Sequence, residues 1–359
     1  MITRKLTTDS IRELVPYAPG KPVEELEREL GLTGSIKLAS NENPLGPSPK
    51  ALKAIEGALA NINRYPDGAG FYLKDALSKK SGVPVEGIIL GNGSNEILEI
   101  IVRTFLLEGE EAVMASPSFV VYKMAAQAAG RKYVQVPLKD GRHDLEAMAD
   151  RITESTKLIF IANPNNPTGT MNTASEMDSF MAKVPADVIV VVDEAYFEYV
   201  TATDYPDTLK YLKDGRNIII LRTFSKAYGL AGLRRGYGFA PAELVALMNR
   251  VRQPFNTGSL SQAAALAALS DDEHVRESVR MNEDGKKYLY GELDRLGLEY
   301  YPTHANFIYI NFKKDAALLY DGLLKKGVIV RPMGPLQLRV TIGLNQENER
   351  FIRALEQVL

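Results

Sequence analysis

From residue 46 to about residue 245 the chain repeats one pattern: a short unbroken apolar run, a turn rich in Gly, Pro or Asn, then a stretch with helical spacing. The runs lie at 88–90, 112–115, 158–162, 188–192 and 218–221, and most are rich in Ile and Val. Strands that alternate apolar and polar residues have one wet face, whereas unbroken β-branched runs predict strands covered on both faces. Helices between such strands predict a mostly parallel sheet. The large domain is therefore expected to be α/β, over 46–245.

Beyond residue 246 the texture changes. A long charged helix is expected over 271–296, alternating strands at 306–311 and 337–342, and a closing helix near 347–359. Mixed order of this kind suits a smaller α+β domain over 246–359. Residues 1–45 open with a polar arm, pass through Val15-Pro-Tyr-Ala-Pro-Gly, where proline and glycine prevent regular structure, and offer a short helix around 24–30. Such an arm is expected to pack on another part of the protein, with the small domain the natural choice. The alanines of 263–269 mark a helix packed closely on its neighbours, and no fixed-period repeat is present.

Composition narrows the function classes. A chain of 359 residues with 45% hydrophobic and 25% charged residues reads as an enzyme-sized globular protein. Basic and acidic residues number 43 and 45, so no global field draws in nucleic acid or an anionic membrane. The absence of cysteine removes disulfides, thiolate metal sites and cysteine nucleophiles, and no metal site is expected. No apolar run approaches the roughly 18 residues that would span a bilayer, and the first residues lack a signal-peptide core, so the expected location is the cytoplasm.

The candidate chemistry falls just after the apolar runs, where open parallel sheets place their ligands. After 218–221 comes Thr223-Phe-Ser-Lys-Ala-Tyr-Gly-Leu-Ala-Gly-Leu-Arg. A lysine among small residues at the end of a buried strand can be kept partly dry, which favours the neutral amine that attacks an aldehyde. Lys226 is thus the candidate nucleophile, although an arbitrary lysine is usually solvated. Thr223, Ser225 and the Arg234 guanidinium offer a cradle for a phosphate. A phosphate-bearing aldehyde satisfies both demands, and pyridoxal phosphate is such a molecule.

Gly91-Asn-Gly-Ser-Asn-Glu follows 88–90, and its free N–H groups at Ser94 and Asn95 open a helix suited to an anion; glycine-rich turns also occur without one. Asn163-Pro-Asn-Asn-Pro-Thr-Gly reads equally as a functional loop or a chain reversal. Asp193, ending 188–192, is costly to bury unless it meets a cation such as a pyridinium N–H, or caps a helix. Tyr196 lies one helical turn later and suits either a ring oxygen or core packing.

These residues resemble the fold-type I pyridoxal-phosphate enzymes, the aspartate aminotransferase superfamily, along nearly the whole chain. The segments Val15-Pro-Tyr-Ala-Pro-Gly-Lys-Pro, Leu38-Ala-Ser-Asn-Glu-Asn-Pro, Arg64-Tyr-Pro-Asp, Asn163 to Gly169, Thr223 to Arg234 and Leu338-Arg-Val-Thr-Ile-Gly are similar in particular to the histidinol-phosphate aminotransferase family. The resemblance implies a large domain with a seven-stranded, mostly parallel sheet sandwiched by helices. It implies that Lys226 bonds the cofactor and then shuttles the substrate proton, that Asp193 pairs with the ring nitrogen, and that Asn166 and Tyr196 hold the ring oxygen. Ser94, Asn95, Thr223, Ser225 and Arg234 would hold the cofactor phosphate. Tyr65 would reach it from the neighbouring subunit of a homodimer. Phe119 stands over the ring face where relatives often carry tyrosine.

For the substrate, the resemblance implies that Arg339 and Arg331 grip a carboxylate or phosphate and that Tyr17 closes over it. A surface salt bridge is the other reading of Arg331, and His304 is read as structural. The implied reaction is amino transfer between L-histidinol phosphate and 2-oxoglutarate, giving imidazole-acetol phosphate and glutamate, in histidine biosynthesis. An aromatic amino-acid aminotransferase and a threonine-phosphate decarboxylase of the same fold are the alternatives. A non-catalytic effector-binding module is disfavoured, because no helix-turn-helix or basic segment precedes the large domain.

Overall fold

The computed structural model describes residues 6–359. Residues 1–5, the beginning of the polar arm, lie outside the described residues. Seven strands form the main sheet: β1 Ile88–Asn92, β2 Glu111–Ser116, β3 Lys132–Pro137, β4 Thr156–Ala162, β5 Ile189–Asp193, β6 Ile218–Thr223 and β7 Arg235–Phe239. Their order across the sheet is β1-β7-β6-β5-β4-β2-β3. Every pairing from β6 to β3 is parallel, and β7 alone runs against the rest, antiparallel to both β1 and β6.

The unbroken apolar runs are explained by two cores. Ile159, Ile161, Val190, Val192, Ile218 and Ile220 face one side, while Leu158, Phe160, Ile189, Val191, Ile219 and Leu221 face the other. Successive residues of a strand point to opposite faces, so a sheet covered on both sides must be apolar at every position. The helices Phe71–Ser81, Ala174–Lys183 and Ser259–Leu269 cover the first face. The helices Gly93–Phe105, Val121–Ala128 and Ala242–Val251 cover the second. In Ser259–Leu269 the small side chains of Ala264, Ala265 and Ala268 are buried, and the helix packs on Pro49–Ala58.

Two strands have no counterpart among the apolar runs. Lys132–Pro137 is an edge strand in which Lys132, Gln135 and Pro137 are exposed and only Val136 is buried. Arg235–Phe239 carries Gly236 and Gly238, which dilute its strand signal, and close packing requires the first of them: a Cβ on Gly236 would stand 2.4 Å from the backbone nitrogen of Ser94. The turn after β5 also differs from expectation. No α-helix starts at Asp193; a tight turn leads instead to a 3-10 turn at Phe197–Tyr199, and Tyr196 sits at its start.

A second sheet has the antiparallel order Arg331–Pro332, Gln337–Thr341, Phe307–Asn311, Glu299–Tyr300, backed by the long helix Asp272–Arg295 and by Ala316–Lys325 and Asn345–Glu356. Ile36–Lys37 pairs in parallel with Val328–Ile329, and Leu38 is buried in the same core. The backbone N–H of Asn41 then donates to Thr341 Oγ1 of the second sheet at 2.9 Å, and its side chain donates to the Tyr196 hydroxyl at 2.9 Å, just beyond the end of β5. Among the described residues no helix is long and apolar enough to cross a membrane, and no cluster of three or more His, Asp or Glu could hold a metal ion.

Candidate active site

Parallel strands that end together place their last residues on one rim. Ala162 and Asp193 are paired at the ends of β4 and β5, and Thr223 ends β6 alongside. A cleft of about 1130 Å³ opens above this rim. Ser94, Asn95, Phe119, Asn166, Asp193, Tyr196, Thr223, Ser225, Lys226 and Arg234 line it from the large sheet, and Tyr17, Arg331 and Arg339 from the N-terminal arm and the second sheet. Tyr65 is the one expected site residue that does not line the cleft. It is 82% exposed and stacks on Phe255 with ring centroids 4.7 Å apart.

Lys226 lies in the turn that leaves β6, where Gly229 N donates to Lys226 O at 2.9 Å and Leu230 N to Phe224 O at 3.0 Å. Its amine donates to the Ser40 carbonyl at 3.2 Å and stands 5.7 Å from the centroid of the Tyr196 ring. Burial first, then the guanidinium groups of Arg339 and Arg234, lower its pKa to about 7 against the pull of Glu42 and Asp193. At pH 7 about half of such amines are neutral, against ~1 in 3,000 for an ordinary lysine. The cleft therefore holds a usable nucleophile and proton acceptor near neutral pH.

Asp193 is 4% exposed. Its Oδ2 accepts from the Tyr122 hydroxyl at 2.9 Å and its Oδ1 from Ala195 N at 3.2 Å. Burial pushes the carboxyl up to about 6, and these two donors restrain it from rising further. Tyr122 is pushed well above its ordinary value by burial and by that carboxylate, so it stays a donor. It is clamped between Phe160, stacked at 5.0 Å, and Phe119, edge-on at 5.6 Å. Sequence reasoning missed Tyr122. The signal was its place three residues after Phe119, which puts both rings at the start of the Val121–Ala128 helix.

The Tyr196 hydroxyl accepts from Asn41 Nδ2 at 2.9 Å and from Asn166 Nδ2 at 3.3 Å. Burial raises it to about 12, with Arg339 and Asn41 pulling the other way. Asn166 Oδ1 in turn accepts from Arg339 at 2.7 Å, and Arg339 also donates to Ala39 O at 2.7 Å. Asn41, the second residue missed, lies within a segment that the family resemblance singled out, but a buried asparagine at φ 55° with a side chain turned to a tyrosine 155 residues away leaves no local trace.

A separate station forms where the Gly93–Phe105 helix meets Arg234. The helix offers the free N–H groups of its first turn, including Ser94 and Asn95. Arg234 donates to Ser225 Oγ at 3.4 Å and to Ala231 O at 3.0 Å, and Ser225 N donates to Thr223 Oγ1 at 3.1 Å. A Cβ on Gly93 would stand 2.3 Å from Arg234 NH2, so only glycine lets the guanidinium lie along the helix start. A helix terminus favours an anion by roughly 0.3–1 kcal/mol at exposed sites, so the charged guanidinium is the stronger half of this station.

On the opposite construction, Arg331 donates to Ala18 O at 2.6 Å and covers the Tyr17 ring at 5.3 Å, while Arg339 covers Phe307 at 5.3 Å and keeps a buried Nε without a partner. Arg331 makes no surface salt bridge. Among the described residues none of Arg234, Arg331 and Arg339 has a carboxylate within ion-pair distance. His304 lies outside the cleft lining; its backbone N–H donates to Gly169 O at 2.7 Å.

Comparison with known proteins gives a consistent picture. The sequence profile of the family Aminotransferase class I and II matches residues 33–355. A histidinol-phosphate aminotransferase of Moorella thermoacetica is 52% identical over 98% of this chain and 92% of its own length. Histidinol-phosphate aminotransferase 1 of Nitrosococcus oceani is 49% identical over 99% and 97%. Among solved structures, histidinol-phosphate aminotransferase from Sinorhizobium meliloti in complex with pyridoxal-5'-phosphate superposes with a TM-score of 0.90 at 29% identity, over 98% of this chain and 97% of that one.

The Tyr122 hydrogen bond favours the charged form of Asp193, so its loss must raise the carboxyl pKa further. In Tyr122→Phe the Asp193 carboxyl, followed by carbon-13 NMR against pH, is expected to titrate at roughly 7 or above, because a hydrogen bond to a charged group is worth about 1.5–3 kcal/mol. An unchanged midpoint would show that Tyr122 does not hold the carboxylate.

Proposed function

The chain belongs to the class I and II aminotransferases, and from that premise we propose that it transfers the amino group of L-histidinol phosphate to 2-oxoglutarate, giving imidazole-acetol phosphate and glutamate in histidine biosynthesis. The observation that carries this reading is the pair of anion stations in one cleft. Arg234 with the helix start forms one; Arg331 and Arg339, beside Tyr17, form the other. An enzyme acting on a simple amino acid with a phosphorylated cofactor needs one phosphate station and one carboxylate station. Two guanidinium groups and a phenol at the second match a phosphate dianion. The names of the relatives, at about half identity along nearly the whole chain, support the same substrate.

The residues present fit pyridoxal phosphate. The Gly93 gap beside Arg234, which a Cβ would fill, is a cradle of phosphate character, and a low-pKa amine, a buried carboxylate and a buried phenol line the same cleft. When bound, the cofactor supplies the aldehyde that takes the amino group and a protonated ring that draws electrons from the substrate carbon. Ser94, Asn95, Thr223, Ser225 and Arg234 would hold its phosphate. Asp193, oriented by Tyr122, would keep a proton on the ring nitrogen, and Asn166 and Tyr196 would meet the ring oxygen. Phe119 would cover one ring face.

Lys226 would hold the aldehyde end of the cofactor, and its amine, neutral for about half the time near pH 7, would move the substrate proton. Arg339 and Arg331 orient the phosphate of the first substrate and then the carboxylate of 2-oxoglutarate, and Tyr17 excludes water over them. Because both acids use one arginine pair, discrimination falls to the arm and to the imidazole end of the cleft.

Tyr65 acts from the neighbouring subunit of a homodimer in this reading. It does not line its own cleft and stacks on the exposed Phe255, and Ile62, Phe71 and Tyr72, close to it in sequence, are exposed as well; large exposed apolar side chains of this kind mark an interface. A cysteine-free chain suits the reducing cytoplasm, the compartment we propose.

Mixing the cofactor-loaded protein with histidinol phosphate is expected to shift the cofactor's visible absorbance within a single turnover, with phenylalanine at least roughly a hundredfold slower, since unpaired polar groups penalise the wrong substrate heavily. Lys226→Ala should lose about a thousandfold or more of turnover. Equal rates on both amines would transfer the assignment to an aromatic aminotransferase. For the dimer, co-refolding inactive Lys226→Ala with impaired Tyr65→Ala should restore roughly a quarter of wild-type activity, because half of the dimers then contain one intact site of two. No recovery would place Tyr65 outside the partner's site.

A further inference from the structure

A second cavity, of about 590 Å³, lies apart from the cleft, on the other side of the segment that carries Asp193 and Tyr196. Its walls include Phe197, Tyr205, Tyr228 and Tyr237, together with Glu198 and Arg222. A void of this size falls within the roughly 300–1,000 Å³ of sites that enclose small ligands.

The charges of this cavity do not balance. Arg222 is already committed: its Nε donates to Glu194 Oε2 at 2.8 Å, and its guanidinium lies 3.4 Å from the centroid of the Phe197 ring. Glu194 is completed by Thr208, whose hydroxyl donates to Oε1 at 2.7 Å. At the mouth, Lys80 pairs with Asp272 at 2.6 Å and donates to Leu269 O at 3.2 Å. Glu198 is what remains. Its Oε2 is buried and accepts no hydrogen bond among the described residues, and Asp207 adds a second negative charge at the rim. Burial pushes the Glu198 carboxyl up to about 7, with Arg222 pulling it back, so the group lacks the counter-charge that its position demands.

We propose that this cavity is a second binding site, for a small organic cation with a flat unsaturated body, such as an amidinium, guanidinium or imidazolium. The unpaired Glu198 oxygen takes the charged N–H group through a charge-assisted hydrogen bond. The aromatic walls receive the flat face, and ring faces attract cations further. An anionic ligand is excluded, since both cations of the cavity are already paired. The site stands independently of the catalytic reading, because none of its lining residues lines the cleft.

The probe is benzamidine, with uncharged benzamide as its near-isostere, titrated calorimetrically into the full-length protein loaded with pyridoxal phosphate. Benzamidine is expected to bind saturably, once per chain, with no displacement by histidinol phosphate. Benzamide should bind about tenfold more weakly or not at all, and Glu198→Gln should weaken benzamidine by about tenfold or more, since either change removes one charge of a buried pair. A crystal of the unmodified protein soaked with benzamidine gives a second readout that needs no variant. Density between Glu198 and Tyr228 supports the site. Absence of saturable binding up to the millimolar range, equal affinity for Glu198→Gln, displacement by histidinol phosphate, or density confined to the main cleft would each overturn it.

Discussion

An amine can remain neutral at physiological pH only where water is scarce and the cations around it outweigh the carboxylates, and Lys226 occupies such a place. Among the described residues its hydrogen-bond partner is a backbone carbonyl, that of Ser40; burial first, then the guanidinium groups of Arg339 and Arg234, hold its pKa down against Glu42 and Asp193. The surrounding fold maintains that condition. The turn after β6 is closed by its own backbone bonds, and the early chain lies against it at Gly229, where a Cβ would stand 2.1 Å from Gly46 O. The floor under the lysine is therefore built from residues nearly two hundred positions away in sequence.

Two adjacent carboxylates at the end of β5 show how the strand pleat separates duties. Asp193 faces the cleft and is held by Tyr122, while Glu194 turns to the other side, where Arg222 and Thr208 satisfy it. Successive side chains point to opposite faces of a strand, so neighbours in sequence occupy different environments. Asp193 keeps a raised pKa at the cleft, while Glu194 is paired with Arg222 away from it. Asn166 links the two ends of the cleft, since its amide touches Tyr196 on one side and Arg339 on the other.

Much of this was legible in the chain. Five apolar runs became β1, β2, β4, β5 and β6, because covering both faces of a sheet forces every residue to be apolar. Asp193 was legible because a carboxylate is costly at the end of a buried strand, Lys226 because small residues after such a strand keep an amine dry, and Arg234 because its guanidinium shares a segment with Thr223 and Ser225. What escaped notice was of two kinds. The strand Arg235–Phe239 is disguised by glycines that close packing against Ser94 demands, and the edge strand Lys132–Pro137 has too little burial to leave a pattern. Tyr122, Asn41 and Ser40 act through contacts across long sequence separations, which no local periodicity records. Tyr65 was expected at the site only through family resemblance; in a single chain it stacks on Phe255 and does not line the cleft.

The most direct test is the pH dependence of Lys226 acylation by trace acetic anhydride in the cofactor-free protein, read peptide by peptide in a mass spectrometer. A desolvated amine close to the charges of two guanidinium groups predicts a rate that is half-maximal near pH 7, while ordinary exposed lysines continue to accelerate towards pH 10. A Lys226 rate that climbs in step with those surface lysines would mean an ordinary, protonated amine, and would contradict the account at its base.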